Sequence, residues 1–125
     1  MTDAGITGVT TIAIPVVDQD AALAFYRDAL GFEVRLDAPL PQGGRWIVLA
    51  PPGSPVSVSL APPGEGERAG IDTGIRFETA DAARTREELA SRGVQVGELL
   101  QWPGVPPMFQ ATDRDGNRFA VIQSG

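Results

Sequence analysis

Hydrophobic and polar positions change period along the chain, and the changes come in the same order twice. Ile12, Ile14 and Val16 alternate with their neighbours, the two-residue period of a strand with one buried face. After Asp18 the period lengthens. Leu23, Tyr26 and Leu30 share one helical face with Phe25 beside them, and Gly31 fits the left-handed residue that ends a helix. The second half repeats this plan: Ile75 and Phe77 alternate, Ala82, Thr85 and Leu89 share a face, and Gly93 closes the segment. Asp18 (or Asp20) and Asp81 stand where an N-cap accepts bonds from the first helical amides. The aspartate-to-glycine spacing is 13 residues in one copy and 12 in the other.

Each helix is followed by strand-like runs: "GFEVRL", "RWIVLA" and "VSVSLA" in the first copy, "VQVGEL", "PMFQAT" and "RFAVIQ" in the second. Pro/Gly clusters such as "APPGSP" and "APPGEGERAG" separate strands or modules. The expected fold is α+β: two tandem βαβββ modules, at about 6–62 and 70–123, within one domain of 125 residues. "DRDGN" near the end reads as a tight turn into the last strand.

Composition removes several chemistries. The chain has no Cys and no His, and all ten basic residues are Arg. Thiolate nucleophiles, imidazole bases, zinc–thiolate sites and Schiff bases are therefore excluded. A net charge of −6 with no basic stripe argues against nucleic acid as a partner. No apolar run reaches the ~20 residues of a membrane span, and the first residues lack a secretory pattern. The expected location is the cytoplasm, with no membrane partner.

"TTIAIPVVDQDAALAFYRDALGFEV", with its Phe25-Tyr26 pair and Leu30-Gly31-Phe32 helix end, and the closing "DRDGN" resemble the vicinal oxygen chelate superfamily. That family includes glyoxalase I, extradiol dioxygenases, fosfomycin-resistance enzymes and bleomycin-resistance binding proteins. The resemblance runs from about Ile6 to Gln123. It implies that each module curls its sheet into a cup around a cavity, helices outside, and that the chain forms a homodimer. In the family's enzymes a divalent metal is held from the first and last strands of each module. Those places fall here on Thr11, Gly74, Ala120 and Ser57 or Ser59. None is a carboxylate or imidazole, so no metal and no other cofactor is expected.

With Ile12, Ile14, Phe77, Phe119 and Val121 under the helices, strand alternation turns their neighbours toward the cup. These are Thr11, Ala13, Ser57, Ser59, Gly74, Arg76, Glu78, Arg118, Ala120 and Ile122. Their small size leaves room for an organic ligand. Trp46 on the third strand is divided evenly between packing and ligand contact. Trp102, Met108 and Phe109, in or beside the loop "LLQWPGVPPMF", are expected to form an apolar wall, with dimer contact the main rival. The expected ligand-binding set is thus Thr11, Trp46, Ser57, Ser59, Arg76, Glu78, Trp102, Met108, Phe109 and Ala120, with no catalytic residue.

The function this supports is a non-catalytic protein that sequesters an apolar or aromatic small molecule, similar to the antibiotic-binding branch of the family. Two alternatives stay open. One is a metal-independent lyase- or isomerase-like enzyme using Glu78 as base and Arg76 as anion stabiliser. The other is an interaction or regulatory domain whose cup is only scaffold.

Overall fold

The computed structural model describes residues 4–124. Strand β1 (Thr11–Pro15) leads to helix α1 (Gln19–Ala24), which widens into a π-helical turn over Phe25–Ala29. Strands β2 (Glu33–Pro39), β3 (Arg45–Ala50) and β4 (Ser57–Ala61) complete the first module. The second comprises β5 (Asp72–Thr79), α2 (Ala82–Ser91), β6 (Gln95–Val96), β7 (Leu100–Trp102), β8 (Val105–Thr112) and β9 (Arg118–Gln123). The sheets have the same plan. In order β1-β4-β3-β2 the pair β1/β4 is parallel, and in order β5-β9-β8-β6 the pair β5/β9 is parallel. The α+β, twice-βαβββ architecture expected from the repeat is what the chain adopts.

The second module departs from the simple reading between residues 94 and 106. "VQVGEL" does not form one long strand. Gly97 interrupts it, donating its amide to the Gln110 carbonyl (2.7 Å), so β6 and β7 are two short pieces laid along β8. The Pro-rich stretch is accordingly a hairpin rather than a loop. Trp102 pairs with Val105 across Pro103-Gly104, where Gly104 takes φ of 78°.

Asp18 and Asp81 both cap as expected, accepting from the Ala21 amide at 3.0 Å and the Arg84 amide at 3.1 Å. Gly31 and Gly93 end the helical segments at φ of 77° and 83°. Asp81→Ala should lower unfolding stability by about 1 kcal/mol, measured by urea denaturation. A neutral result would mean the cap is dispensable. The π turn, closed by Leu30 N–H to Phe25 C=O at 3.2 Å, was not visible in the pattern. It accompanies two consecutive aromatics, Phe25 and Tyr26, that are both buried.

Helix-side residues of both modules share a single core. Tyr26 stacks near Phe32 and Phe119, and Phe77 meets Phe32 and Phe119 edge-on at 5.2 Å. Rings from the first module therefore pack on the second sheet. The "DRDGN" turn fastens the same seam. Asp113 is buried and accepts from Tyr26 Oη (2.7 Å), Asn117 Nδ2 (3.0 Å) and the amides of Asp115 and Asn117 (both 2.9 Å). Asn117 Nδ2 also donates to the Pro15 carbonyl (2.7 Å), and the Val17 amide donates to Asp115 Oδ1 (2.8 Å). Burial, and after it the Asp113 carboxylate, hold the Tyr26 phenol well above its ordinary pKa. Among the described residues no helix is long and apolar enough to cross a membrane.

Candidate functional site

With the helix-side faces committed to the core, ligands are left the opposite faces and the gap between the modules. β1 and β5 are terminal strands of their sheets, each hydrogen-bonded on one side only. Between them lies a groove of about 670 Å³. Gly74 to Glu78 of β5 form one wall, Ile12, Ser57 and Val58 the other, and the β3–β4 connection, residues 51–56, the end. An apolar recess of about 240 Å³ adjoins it, sharing Pro51, Pro52, Phe77 and Glu78 and reaching Phe32 and Phe119.

Local chemistry shapes this groove. The connection Pro51-Pro52-Gly53-Ser54-Pro55 turns tightly, with the Ser54 amide bonded to the Pro51 carbonyl (3.0 Å) and Ser54 Oγ donating to the Val56 carbonyl (2.7 Å). Its prolines present rigid apolar surface without N–H donors. Gly74 sits at φ of 71° in an irregular stretch of β5, between the register pairs Asp72–Arg118 and Arg76–Ala120. Its amide is taken by Asp72 Oδ1 (3.0 Å) and its carbonyl by Arg76 Nη1 (3.1 Å).

Three of the expected ligand-binding residues, Ser57, Arg76 and Glu78, line the groove. The others are dispersed. Register places Thr11 opposite Ser57, and Ser59 between Ala13 and Val48, on the face of the first sheet turned from the helices. Trp46 opposes Ala38 on that face and is 40% exposed. Met108 and Ala120 lie on the corresponding face of the second sheet, opposite Ile122 and Gln110. Trp102 stands at the hairpin, 53% exposed, and lines neither the groove nor its recess.

Phe109 requires correction. It is 1% exposed and faces the helices beside Val121, because alternation along β8 gives Met108 and Gln110 the other face. It is a core residue rather than part of a ligand wall. Conversely, the sequence reading missed the 51–56 connection, whose prolines it took for a separator. Three prolines within five residues were the available signal.

The positions at which the fold family would hold a metal do not fit one. Thr11 and Ser57 bring only neutral hydroxyls, and the side chains of Gly74 and Ala120 bring no donor. Thr11 Oγ1 is buried and has no hydrogen-bond partner, but a lone neutral hydroxyl is a poor donor to a divalent cation. Among the described residues no three Asp or Glu side chains converge.

Comparison with known proteins agrees with this architecture. A solved structure from Streptomyces sp. CB03234, TnmS3, described as an antibiotic binding protein, superposes with a TM-score of 0.88 at 29% identity, covering 98% of this chain and 100% of that one. A glyoxalase/bleomycin resistance protein/dioxygenase superfamily member from Sphaerobacter thermophilus DSM 20745 gives a TM-score of 0.89 at 32% identity, with 95% and 98% coverage. The Bacillus subtilis (strain 168) protein YetH, described as uncharacterized, is 29% identical over 121 residues, 93% of this chain and 98% of its own. The model of the Glyoxalase/Bleomycin resistance protein/Dioxygenase superfamily matches residues 8–121. By that match, and by its paired βαβββ modules, the chain belongs to this superfamily.

Proposed function

We propose that this protein binds and sequesters an apolar or aromatic small molecule, of the kind represented by antibiotics, and releases it unchanged. The observation that carries this reading is the groove: about 670 Å³, within the range of small-molecule sites, walled largely by prolines and aliphatic or aromatic side chains. Its polar groups are few, Ser54, Ser57, Arg76 and Glu78, enough to orient a ligand. The recess floored by Phe32, Phe77 and Phe119 gives an aromatic ring apolar surface on several sides. The similarity to TnmS3 supports the same ligand class.

In this reading Thr11, Trp46, Met108, Trp102 and Ala120 contribute when a second copy pairs with the first, while Ser59, 2% exposed, is packed inside its sheet and meets no ligand. Exposed Leu36 and Trp46, beside one another on the face of the first sheet, favour such pairing.

The test is a titration of intrinsic tryptophan fluorescence with polycyclic and glycopeptide antibiotics, followed by chromatography of the ligand. Saturable quenching at micromolar concentration or below, with the ligand recovered intact, is expected. Trp46→Ala should weaken binding by about tenfold, the loss of one aromatic contact. Conversion of the ligand, abolished by Glu78→Gln with binding retained, would replace sequestration with catalysis. Absence of any response would leave the fold without its proposed ligand.

A further inference from the structure

The register of β5, β9 and β8 surrounds Ala120 with an unusual set of neighbours. On the face turned from the helices, Arg76 opposes it on one side and Gln110 on the other. Along its own strand the residues two away, on the same face, are Arg118 and Ile122. A methyl group thus forms the floor of a shallow dish, and three of its four neighbours carry N–H donors.

Neither arginine has an acidic partner among the described residues. The ion pairs formed there involve Arg27, Arg35, Arg45 and Arg92. Arg76 uses one N–H on the Gly74 carbonyl, and the guanidinium of half-buried Arg118 makes no hydrogen bond among the described residues. Two acids neighbour the arginines on β5. Asp72, opposite Arg118, is engaged with the Gly74 amide, and Glu78 lies one row further along, opposite Ile122. Beyond Ile122 the row continues with Met108 and Leu100, an apolar strip leading away from the dish.

We propose that Arg76 and Arg118, across Ala120, form an anion subsite, and that the sequestered ligand is an apolar planar molecule carrying one anionic oxygen group such as a carboxylate, sulfonate or phenolate. The class of ligand rests on the binding reading above, while the subsite is read from the register alone. The anionic group sits over the Ala120 methyl, where two guanidinium forks and the Gln110 amide can reach it. The ring system lies along Ile122 and Met108 or enters the groove beside Arg76. Arginine suits this task because its planar donors match an oxyanion and stay charged at any physiological pH.

The experiment compares anilinonaphthalene sulfonate with its uncharged parent, phenylnaphthylamine, by fluorescence titration of the intact protein. The sulfonate should bind about tenfold more tightly or better, the value of one charge-assisted contact, and added salt should erode that advantage. In the Arg76→Gln/Arg118→Gln double variant the two probes should bind alike, with an unchanged urea unfolding midpoint as evidence that the fold persists. Ala120→Glu, which places a carboxylate between the arginines, should also erase the advantage. Equal affinities in the unaltered protein, or an advantage that survives both variants, would overturn the anion subsite while leaving apolar binding intact. Failure of both probes to bind would overturn the subsite and the binding reading together.

Discussion

Asp113→Ala is expected to lower the unfolding free energy by about 3 kcal/mol or more, one of the largest single-residue effects in the chain. The carboxylate is buried and accepts four hydrogen bonds, two from the backbone of its own turn and two from Tyr26 and Asn117. Truncation leaves these donors facing a void, and each buried donor left unpaired costs on the order of 1–3 kcal/mol. The loss is not confined to one module. Asn117 is oriented by Asp113 and holds the Pro15 carbonyl, and Tyr26 comes from the opposite module. Asp113→Asn should cost less, since one oxygen still serves the turn amides while the amide nitrogen meets donors it cannot accept from. Equilibrium urea unfolding with an unchanged denaturant dependence is the measurement. A destabilisation below about 1 kcal/mol would show that the modules do not depend on this turn.

The alkaline side of the stability profile should belong to one side chain. With no Lys, Cys or His and a single tyrosine, only Tyr26 and the α-amino group titrate between neutrality and about pH 12. In the folded protein the Tyr26 pKa is raised, first by burial and then by Asp113, while in the unfolded chain it is about 10. The unfolded state therefore releases its proton first. The contribution of Tyr26 is fully present below pH ~10 and is lost as pH rises, by about 1.4 kcal/mol per pH unit. Tyrosinate absorbance should appear together with loss of structure rather than before it. Tyr26→Phe should start less stable by about 1 kcal/mol, having lost one hydrogen bond, yet show no alkaline slope in this window. Ionisation of Tyr26 in a still-folded protein would contradict this account.

These two predictions fall on a motif that the sequence analysis read only as a turn. The Asp-Gly-Asn signal located Gly116 correctly because turn chemistry is local: Asp113 Oδ1 accepts amides two and four residues ahead. That the same carboxylate faces Tyr26, 87 residues earlier, depends on how the modules meet. No local periodicity carries that information.

The candidate site divides in the same way. Arg76 and Glu78 were expected on one face because strand alternation is a property of the backbone itself, and both line the groove. Phe109 was expected at a ligand wall because, although "PMFQAT" reads as a strand, alternation alone does not say which of its two faces meets the core. Once β8 pairs with β9, the phase is set by the partner strand, and Phe109 follows Val121 into the core. The prolines of residues 51–56 were legible as a turn, but their role as the end of a groove arises only when β5 from the other module lies opposite.

What the sequence determined by itself was the repeated unit: its strand and helix periods, its aspartate caps, its glycine stops and the absence of thiol, imidazole and ammonium chemistry. These are one-dimensional properties, each decided by residues within a few positions of one another. The tertiary structure alone decided which faces were consumed by the shared core, where the terminal strands β1 and β5 left a gap, and which side chains surround Ala120. Those depend on contacts between residues far apart in sequence, where packing of Tyr26, Phe32, Phe77 and Phe119 fixes one module on the other.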